Sequence, residues 1–342
     1  MENVTIAIPI YNCEKFIEKT MLSALNQTFK SIEILIIDDK GSDGSMNIIY
    51  HLQQNHPKGK NIRIVSHEKN KGVAAARNTA IDNAKGDYLF FLDSDDLIAP
   101  TCIEILHKQI HAKQTDIAIA SSMKFYENSN KKLINKKYPD IVIKGKYKLA
   151  ESPFLSQISS VWNILFPITT LKEEGIRFRN VDKFEDILFI TEFLLTINSC
   201  AFSSEITYNY NIRQDSLCQY YERDIIPLNE ILKDVPIRIE MKEICKKNRN
   251  MPYIPNLCAS MMKRCIESAT AILNQQKKIK PPAPTTIIKE ILAYPLTFKE
   301  IIKFKNKRTI NLFFWMLGKL PYCGIVLFLS FLPMLIKLVK SK

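Results

Sequence analysis

Three carboxylates lie together in Asp93-Ser94-Asp95-Asp96, directly after the apolar run Tyr88–Leu92. Carboxylates at such close spacing repel one another unless a cation lies among them. Their hard oxygen atoms suit Mg²⁺ or Mn²⁺, ions that usually share their coordination shell with substrate phosphates. The alternative is a solvated loop in which Ser94 or Asp95 caps the helix that begins near Pro100, because short D-x-D strings are common. The cluster alone leaves both interpretations open.

Two further polar clusters accompany neighbouring apolar runs. Asp38-Asp39-Lys40-Gly41-Ser42-Asp43 offers carboxylates that suit hydrogen bonds from a base or a ribose, and Gly41 allows a tight turn. Residues 70–78, N-K-G-V-A-A-A-R-N, combine small side chains for close helix packing with Arg77, whose guanidinium suits a diphosphate. Taken alone, each cluster is also compatible with ordinary turn chemistry or a surface charge.

The elements that must position these clusters alternate between strand and helix patterns over the first 120 residues. Predicted strands are Val4–Ile10, Ile32–Ile37, Ile62–Val65, Tyr88–Leu92 and Asp116–Ala120, and predicted helices are Glu14–Asn26, a segment reaching about His51, and Gly72–Ala84. This alternation predicts an α/β fold with a mainly parallel sheet covered on both faces. Ligands bind at the carboxyl ends of the strands in such sheets, so the three clusters are expected to meet at one edge.

Taken together, the clusters resemble the family 2 glycosyltransferases, whose fold is GT-A, a Rossmann-like sheet flanked by helices. The resemblance covers about residues 4–216. Its first half rests on Pro9-Ile10-Tyr11-Asn12, Asp38-Asp39 with Gly41-Ser42-Asp43, Asn70, Gly72, Arg77, Asn78, Gly86-Asp87-Tyr88 and Asp93-Ser94-Asp95-Asp96.

The resemblance implies a role for each matched residue. Pro9 and Tyr11 are expected to pack on the nucleotide, and Asp39 to contact its base. Asp93 is expected to approach the ribose, and Asp95 together with Asp93 to hold Mn²⁺ or Mg²⁺. The implied nucleotide-sugar site therefore comprises Pro9, Tyr11, Asp39, Arg77, Asp93 and Ser94.

A second set of residues resembles the acceptor side of the same family. It consists of Trp162-Asn163, Gly175-Ile176-Arg177-Phe178, Glu185-Asp186 and, less strongly, residues 208–216. The resemblance implies that Asp186 is the catalytic base, and an inverting transfer needs such a carboxylate to take the proton of the acceptor hydroxyl. Trp162, Glu185 and Arg213 are the implied acceptor-side residues. Because Asp186 opens a helical run, a helix cap is the alternative.

The chain departs from the family pattern at two positions. Ile164 follows Asn163 where many relatives carry Lys, and Lys40 follows Asp39 where the family often has Gly. The first departure affects the expected acceptor contacts, and neither touches the expected metal ligand or base.

The net charge of +13 is concentrated near the C-terminus. Residues 270–342 contain 13 Lys and Arg against 2 Asp and Glu, whereas the preceding 269 residues contain 35 against 33. This asymmetry argues against a nucleic-acid groove in the body of the protein and favours contact between the tail and an anionic surface.

The tail is also apolar. The charge-free run Leu320–Ile336 has 17 residues, the lower limit for a bilayer span, and Lys or Arg flank it on both sides. A helix lying in the membrane interface fits this pattern, with a single span or a buried helix pair as alternatives. Eight scattered cysteines without C-x-x-C pairs or an export signal favour a reducing compartment. The predicted location is therefore the cytoplasmic face of the cell membrane.

The predicted organisation is a GT-A catalytic domain over 1–222, with a nucleotide-sugar half (about 1–123) and an acceptor half (about 124–222). A helical extension (223–280) and a proline linker with the membrane-associating tail (281–342) follow. The predicted activity is inverting transfer of a hexose or N-acetylhexosamine from a nucleotide diphosphate donor, by analogy a UDP-sugar. The expected acceptor is a saccharide or lipid-linked molecule in surface polysaccharide or lipopolysaccharide synthesis.

Two other classes of protein stay open at this point. One is a catalytically inactive, membrane-tethered scaffold of the same fold, although Asp93, Asp95 and Asp186 are all present. The other is a sugar-phosphate nucleotidyltransferase, which would want a glycine-rich, basic loop after the first strand. Tyr11-Asn12-Cys13-Glu14 is not such a loop.

Overall fold

The computed structural model describes residues 2–126, 131–154, 157–181, 184–212 and 224–340, with side chains up to Phe331. The chain forms two compact units, Met1–Gln214 and Asp215–Lys342. The boundaries that the sequence predicts lie near residues 222 and 280.

The first unit combines two five-stranded sheets with seven helices in its described part. Its strands are β1 (Val4–Ile10), β2 (Ile32–Asp38), β3 (Ile62–Ser66), β4 (Tyr88–Phe91), β5 (Leu97–Ile98), β6 (Ile117–Tyr126), β7 (Lys131–Lys136), β8 (Ile141–Lys144), β9 (Phe166–Pro167) and β10 (Ser199–Ile212). Its helices are α1 (Glu14–Leu25), α2 (Ser45–Asn55), α3 (Val73–Asn83), α4 (Cys102–Lys113), α5 (Lys148–Glu151), α6 (Ile168–Glu173) and α7 (Glu185–Leu194).

The first sheet has the order β3-β2-β1-β4-β9, in which only β9 runs antiparallel to its neighbour. The central strand β1 is apolar along nearly its whole length because helices cover both faces of the sheet. Val4, Ile6 and Ile8 are fully buried there. The predicted parallel sheet and its first four strands are confirmed, and the carboxyl ends of β1, β2 and β4 reach the same edge.

The fifth predicted strand belongs to a different sheet. Residues 117–126 form β6, which pairs in parallel with β10 in the second sheet, of order β5-β10-β6-β7 with β8 also on β10. The place beside β4 is taken by β9 and by a bridge between Phe91 and Trp162. Beyond β6, residues 131–136 form β7, which pairs antiparallel with β6.

The second unit is mainly helical. Its elements are β11 (Ile226–Pro227), α8 (Leu228–Leu232), α9 (Asp234–Lys247), α10 (Ile254–Asn274), β12 (Ile279–Lys280), α11 (Thr285–Leu292), α12 (Phe298–Ile301), α13 (Arg308–Lys319) and α14 (Tyr322–Lys340). The segment predicted as a free proline linker lies within this unit. Its start, β12, pairs with β11, and Ala283 is buried in the core beside Ile288.

The apolar tail contributes to this same core with only one of its faces. Phe314, Leu317 and Ile325 are buried, whereas Leu327 and Phe331 are 62% and 53% exposed. None of the helices, judged on the residues described, is both long and apolar enough to cross a membrane.

Candidate active site

The cluster after β2 is held in place by buried hydrogen bonds. The Asp39 carboxylate is almost fully buried and accepts hydrogen bonds from the backbone N–H groups of Lys71 and Gly72 (2.8 and 2.9 Å). It also contacts Nδ1 of His67 at 2.7 Å, and Nε2 of His67 contacts the Thr79 hydroxyl at 2.8 Å. Asp39 therefore fixes the loop between β3 and α3, in addition to any contact with a base.

Lys40 occupies a backbone conformation that favours glycine. Its φ is +57°, in the left-handed region that costs a side-chain-bearing residue about 1–2 kcal/mol. Both the backbone N–H and the ammonium group of Lys40 donate to the Asp38 carboxylate, each at 2.9 Å. The Asp38–Lys40 pair thus offsets part of the cost that glycine would avoid.

A buried ion-pair network joins the two halves of the predicted site. Arg77, on α3, donates to Oδ1 of Asp93 at 2.8 Å and to Oε1 of Glu185 at 2.5 Å, and its guanidinium lies over the Phe178 ring. Burial opposes the charge of Arg77, but the surrounding carboxylates outweigh it and raise the pKa of this residue. Two carboxylates therefore hold the guanidinium of Arg77, and its contact with a diphosphate stays a prediction.

Asp186 follows Glu185 at the start of α7 and has the electrostatics of a base. Its side chain is partly buried. Burial and the charge of Glu185 raise the pKa of Asp186, with a further contribution from Asp93, to about 7. The positive charges of Arg77 and Lys136 act in the opposite direction. A carboxylate with this pKa is suited to accept a proton near neutral pH.

The helix-cap alternative for Asp186 has no support in the described part of the chain. The N-cap of α7 is Phe184, whose backbone is left-handed and whose side chain makes no capping hydrogen bond. The alternative that Ser94 or Asp95 caps the next helix also has no support, because α4 begins only at Cys102 and its N-cap is Thr101.

The carboxylate cluster after β4 contains one buried and two accessible acids. Asp96 is fully buried, where it accepts hydrogen bonds from the Tyr208 hydroxyl (2.7 Å) and from the backbone N–H of Asn211 (2.8 Å). Burial, then the charges of Asp95 and Asp93, raise the pKa of Asp96 well above its usual range. Asp93 and Asp95 are partly exposed. This concentration of carboxylate oxygen fits a hard divalent cation.

Trp162 lies in an aromatic and cationic stack. Its ring stacks on Tyr208 with 4.5 Å between centroids, and Nζ of Lys136 lies 4.9 Å from the Trp162 centroid. Lys136 also donates to the Ser160 hydroxyl at 2.9 Å. Because this ammonium group also lowers the pKa of Asp186, the stack and the base share one electrostatic environment.

The remaining predicted residues lie at the same edge or outside the described chain. Pro9 is near the end of β1 in register with Ile37 of β2, and Tyr11, just beyond this strand, is 51% exposed. Ser94 is partly buried, and its carbonyl accepts from the Thr20 hydroxyl at 3.0 Å. Arg213 lies outside the described residues.

Two residues of the site were not predicted. His67 directly follows β3, so the rule of polar residues at strand ends would have located it. Lys136 ends β7, in a segment that contains no predicted site residue. Its position beside Trp162 results from strand pairing, which no local signal in the sequence encodes.

Comparison with known proteins adds an independent result. The sequence model of Glycosyl transferase family 2 matches residues 5–179. The Escherichia coli UDP-Glc:alpha-D-GlcNAc-diphosphoundecaprenol beta-1,3-glucosyltransferase WfaP is 32% identical over 250 residues, which cover 72% of this chain and 91% of WfaP.

Solved structures show the same fold. S. aureus TarS matches with a TM-score of 0.65 and 17% identity over 91% of this chain and 52% of TarS. A shorter TarS fragment, solved in complex with UDP-GlcNAc, matches with a TM-score of 0.56 and 18% identity over 92% of this chain and 79% of the fragment. The Pyrobaculum calidifontis mannosyltransferase PcManGT, solved with GDP-Man and Mn²⁺, matches with a TM-score of 0.54 and 13% identity over 93% of this chain and 87% of PcManGT.

Proposed function

The chain belongs to glycosyl transferase family 2, and we propose that it moves a hexose or N-acetylhexosamine from a UDP-sugar to a saccharide or lipid-linked acceptor in surface polysaccharide synthesis. The observation that carries this proposal is the buried network around Arg77. It connects Asp93, on the nucleotide side, with Glu185, the residue beside the expected base Asp186. A scaffold without activity has no need to keep the charged side chains of Arg77 and Glu185 buried beside Asp93, since burying charge costs free energy.

The choice of donor rests on the relatives. WfaP is named for UDP-Glc, and TarS was solved with UDP-GlcNAc, whereas PcManGT was solved with GDP-Man. A UDP-sugar is therefore the first donor to test. Tyr11, half exposed beyond β1, would pack on the nucleotide, and Asp39 would accept a hydrogen bond from its base.

In the proposed reaction Asp186 accepts the proton of the acceptor hydroxyl. Its carboxylate takes the proton of the acceptor hydroxyl while the hydroxyl oxygen attacks the anomeric carbon. The bond from that carbon to the diphosphate breaks on the opposite side, so the configuration inverts. Arg77 acts on this step by holding Glu185 and Asp93, whose charges set the proton affinity of the base.

Asp95 and Asp93 would hold the divalent ion that relatives suggest, as in the Mn²⁺ complex of PcManGT. Their accessible carboxylates and the crowding of negative charge beside Asp96 support this assignment. Mn²⁺ or Mg²⁺ bound there would offset the negative charge of the departing diphosphate.

A panel of nucleotide sugars tests the proposal, with binding and slow donor hydrolysis measured in Mn²⁺, in Mg²⁺ and in chelator. Turnover of a UDP-sugar that chelator abolishes is the expected result. Binding without turnover under any condition would favour the inactive scaffold, and formation of a nucleotide sugar from a sugar phosphate would favour the nucleotidyltransferase.

We also propose that the second unit lies on an anionic membrane surface, at the cytoplasmic face of the cell membrane. Support comes from the exposed apolar side chains of Met316, Leu327 and Phe331 and from the exposed basic side chains at and just before the start of α13, namely Lys303, Lys305, Lys307 and Arg308. An amphipathic helix with such flanks binds the interface through apolar burial and charge attraction.

Point variants suit this test better than truncation, because Phe314 and Leu317 fill the core of the second unit. Leu327→Glu with Phe331→Glu should reduce co-sedimentation with anionic vesicles, whereas Met251→Glu, at another exposed apolar position, should not. Equal sedimentation of the wild type, the double Glu variant and Met251→Glu would contradict the proposed membrane surface.

A further inference from the structure

Three metal-ligating side chains meet far from the active site. His107 and His111 lie one turn apart on α4, and their Nε2 atoms approach the same carboxylate oxygen, Oε2 of Glu2, at 2.8 and 2.6 Å. The possible ligand atoms of the three residues all lie within 4.8 Å of one another. Two imidazole nitrogens that converge on one carboxylate oxygen supply three atoms of the kind that bind a transition-metal ion.

The position of this cluster separates it from the chemistry described above. Glu2 precedes β1, and Tyr88, which packs edge-on against both imidazoles, opens β4. The cluster is therefore at the amino ends of the strands, while Asp93 and Asp95 lie beyond their carboxyl ends. A strand of seven residues such as β1 spans about 23 Å at the usual rise.

Neighbouring groups hold the ligands in place. The His107 ring packs on Phe29 with 4.7 Å between centroids and lies 4.3 Å from the His111 ring. Next to Glu2, the backbone of Asn3 is fixed from both sides by Asp87: its N–H donates to the Asp87 carboxylate at 2.8 Å, and its carbonyl accepts from the Asp87 N–H at 2.7 Å. The imidazoles and the start of the chain therefore converge without rearrangement of the backbone.

From this convergence we propose that Glu2, His107 and His111 bind a transition-metal ion of the zinc type. Two imidazole nitrogens and one carboxylate oxygen suit Zn²⁺, whereas Mg²⁺ and Mn²⁺ prefer oxygen. Tetrahedral Zn²⁺ at about 2.0–2.1 Å from each atom places its ligands about 3.3 Å apart. The partly exposed Glu2 side chain has room to withdraw by the remaining half ångström or so, and water completes the coordination.

The surrounding charge is also suited to a cation. The carboxylate of Asp87, which accepts a hydrogen bond from the backbone of Asn3 beside Glu2, adds a second negative charge near Glu2. A bound ion would offset this negative potential. It would also tie the segment before β1 to α4, so its expected effect is on the stability of the sheet rather than on sugar transfer.

Zinc titration of the chelator-treated full chain, prepared without a histidine tag, tests the site. Calorimetry should show one Zn²⁺ per chain that disappears in His107→Gln/His111→Gln and remains in the matched control His51→Gln/His56→Gln. Glu2→Gln keeps both imidazoles but changes a direct ligand. It should therefore weaken Zn²⁺ binding by more than the loss of about 10–100-fold that is typical when a residue outside the coordination shell is changed.

Cobalt supplies a readout of the ligands themselves. Co²⁺ bound to the wild-type chain should give visible absorption bands that the double histidine variant lacks, with circular dichroism confirming that the variant is folded. Unchanged zinc stoichiometry and affinity in His107→Gln/His111→Gln, or loss of binding in Asp95→Asn instead, would overturn the proposal. Neither outcome depends on the transferase activity.

Discussion

Replacing Asp186 with Asn removes the expected base while keeping the shape of the side chain. General base catalysis contributes about 10²–10⁴-fold to a rate, so transfer should fall by about this factor. Donor binding should stay nearly unchanged, because the residues assigned to the nucleotide and the metal lie on other elements. A loss of donor binding as large as the loss of rate would mean that Asp186 binds the donor instead.

The pH profile of the wild-type enzyme provides a second measure of the same role. With a pKa of about 7, roughly a tenth of the Asp186 carboxyl is ionised at pH 6 and about nine tenths at pH 8. The rate of transfer should therefore rise about tenfold over this interval and then level off. A bound metal offsets the charge of Asp93, one of the groups that raise this pKa, so metal moves the midpoint downward.

The same pKa predicts that the variant Asp186→Asn is more stable than the wild type at high pH. Because the folded-state pKa of Asp186 is above its usual value of 3.8, the folded protein is most favoured where this carboxyl is protonated. The free energy of unfolding therefore falls by at most about 4 kcal/mol as the pH rises from about 4 through about 7. Asp186→Asn should therefore raise the Tm at pH 8 and leave it nearly unchanged at pH 4.

The assay compares initial transfer rates from pH 5 to 9, donor affinity by calorimetry, and Tm at both pH values. Asp82→Asn is the matched control, since this carboxylate is exposed and pairs only with Arg177 among its described contacts. A fall in rate smaller than tenfold in Asp186→Asn, or a wild-type rate that does not change between pH 6 and 8, would refute the assignment. A lower Tm at pH 8 would instead favour a structural role.

Three other variants probe the groups around this base. Asp95→Asn should abolish the Mn²⁺-dependent part of donor binding and leave Tm within a degree or two, as measured by calorimetry with and without chelator. Arg77→Met leaves Glu185 and Asp93 without their partner, so it should cost about 3–5 kcal/mol in urea unfolding, whereas the exposed Arg177→Met should cost less than about 1 kcal/mol. His67→Ala leaves a buried Asp39 oxygen short of a donor and should cost about 1–3 kcal/mol. Arg77 and His67 variants as stable as wild type would contradict the buried networks described above.

Much of the first sheet and of the site's location follows from local patterns. The apolar runs of β1, β2 and β4 identify buried strands because both faces of a parallel sheet are covered. The rule that ligands bind at the carboxyl ends of parallel strands then brought Asp39 and Asp93 to one edge. These predictions succeeded because periodicity, turn residues and connection handedness act over short stretches of chain.

Only the tertiary structure decided which partners the charged residues have. Arg77 is paired with Glu185, 108 positions away, and Lys136 reaches Trp162 through strand pairing. The place of β6 in the second sheet, and the burial of Phe314 in the second unit, depend likewise on which apolar faces meet. A residue's type and its local pattern specify what it is able to bind. The free energy that selects its partner comes from packing between distant segments, which local sequence does not contain.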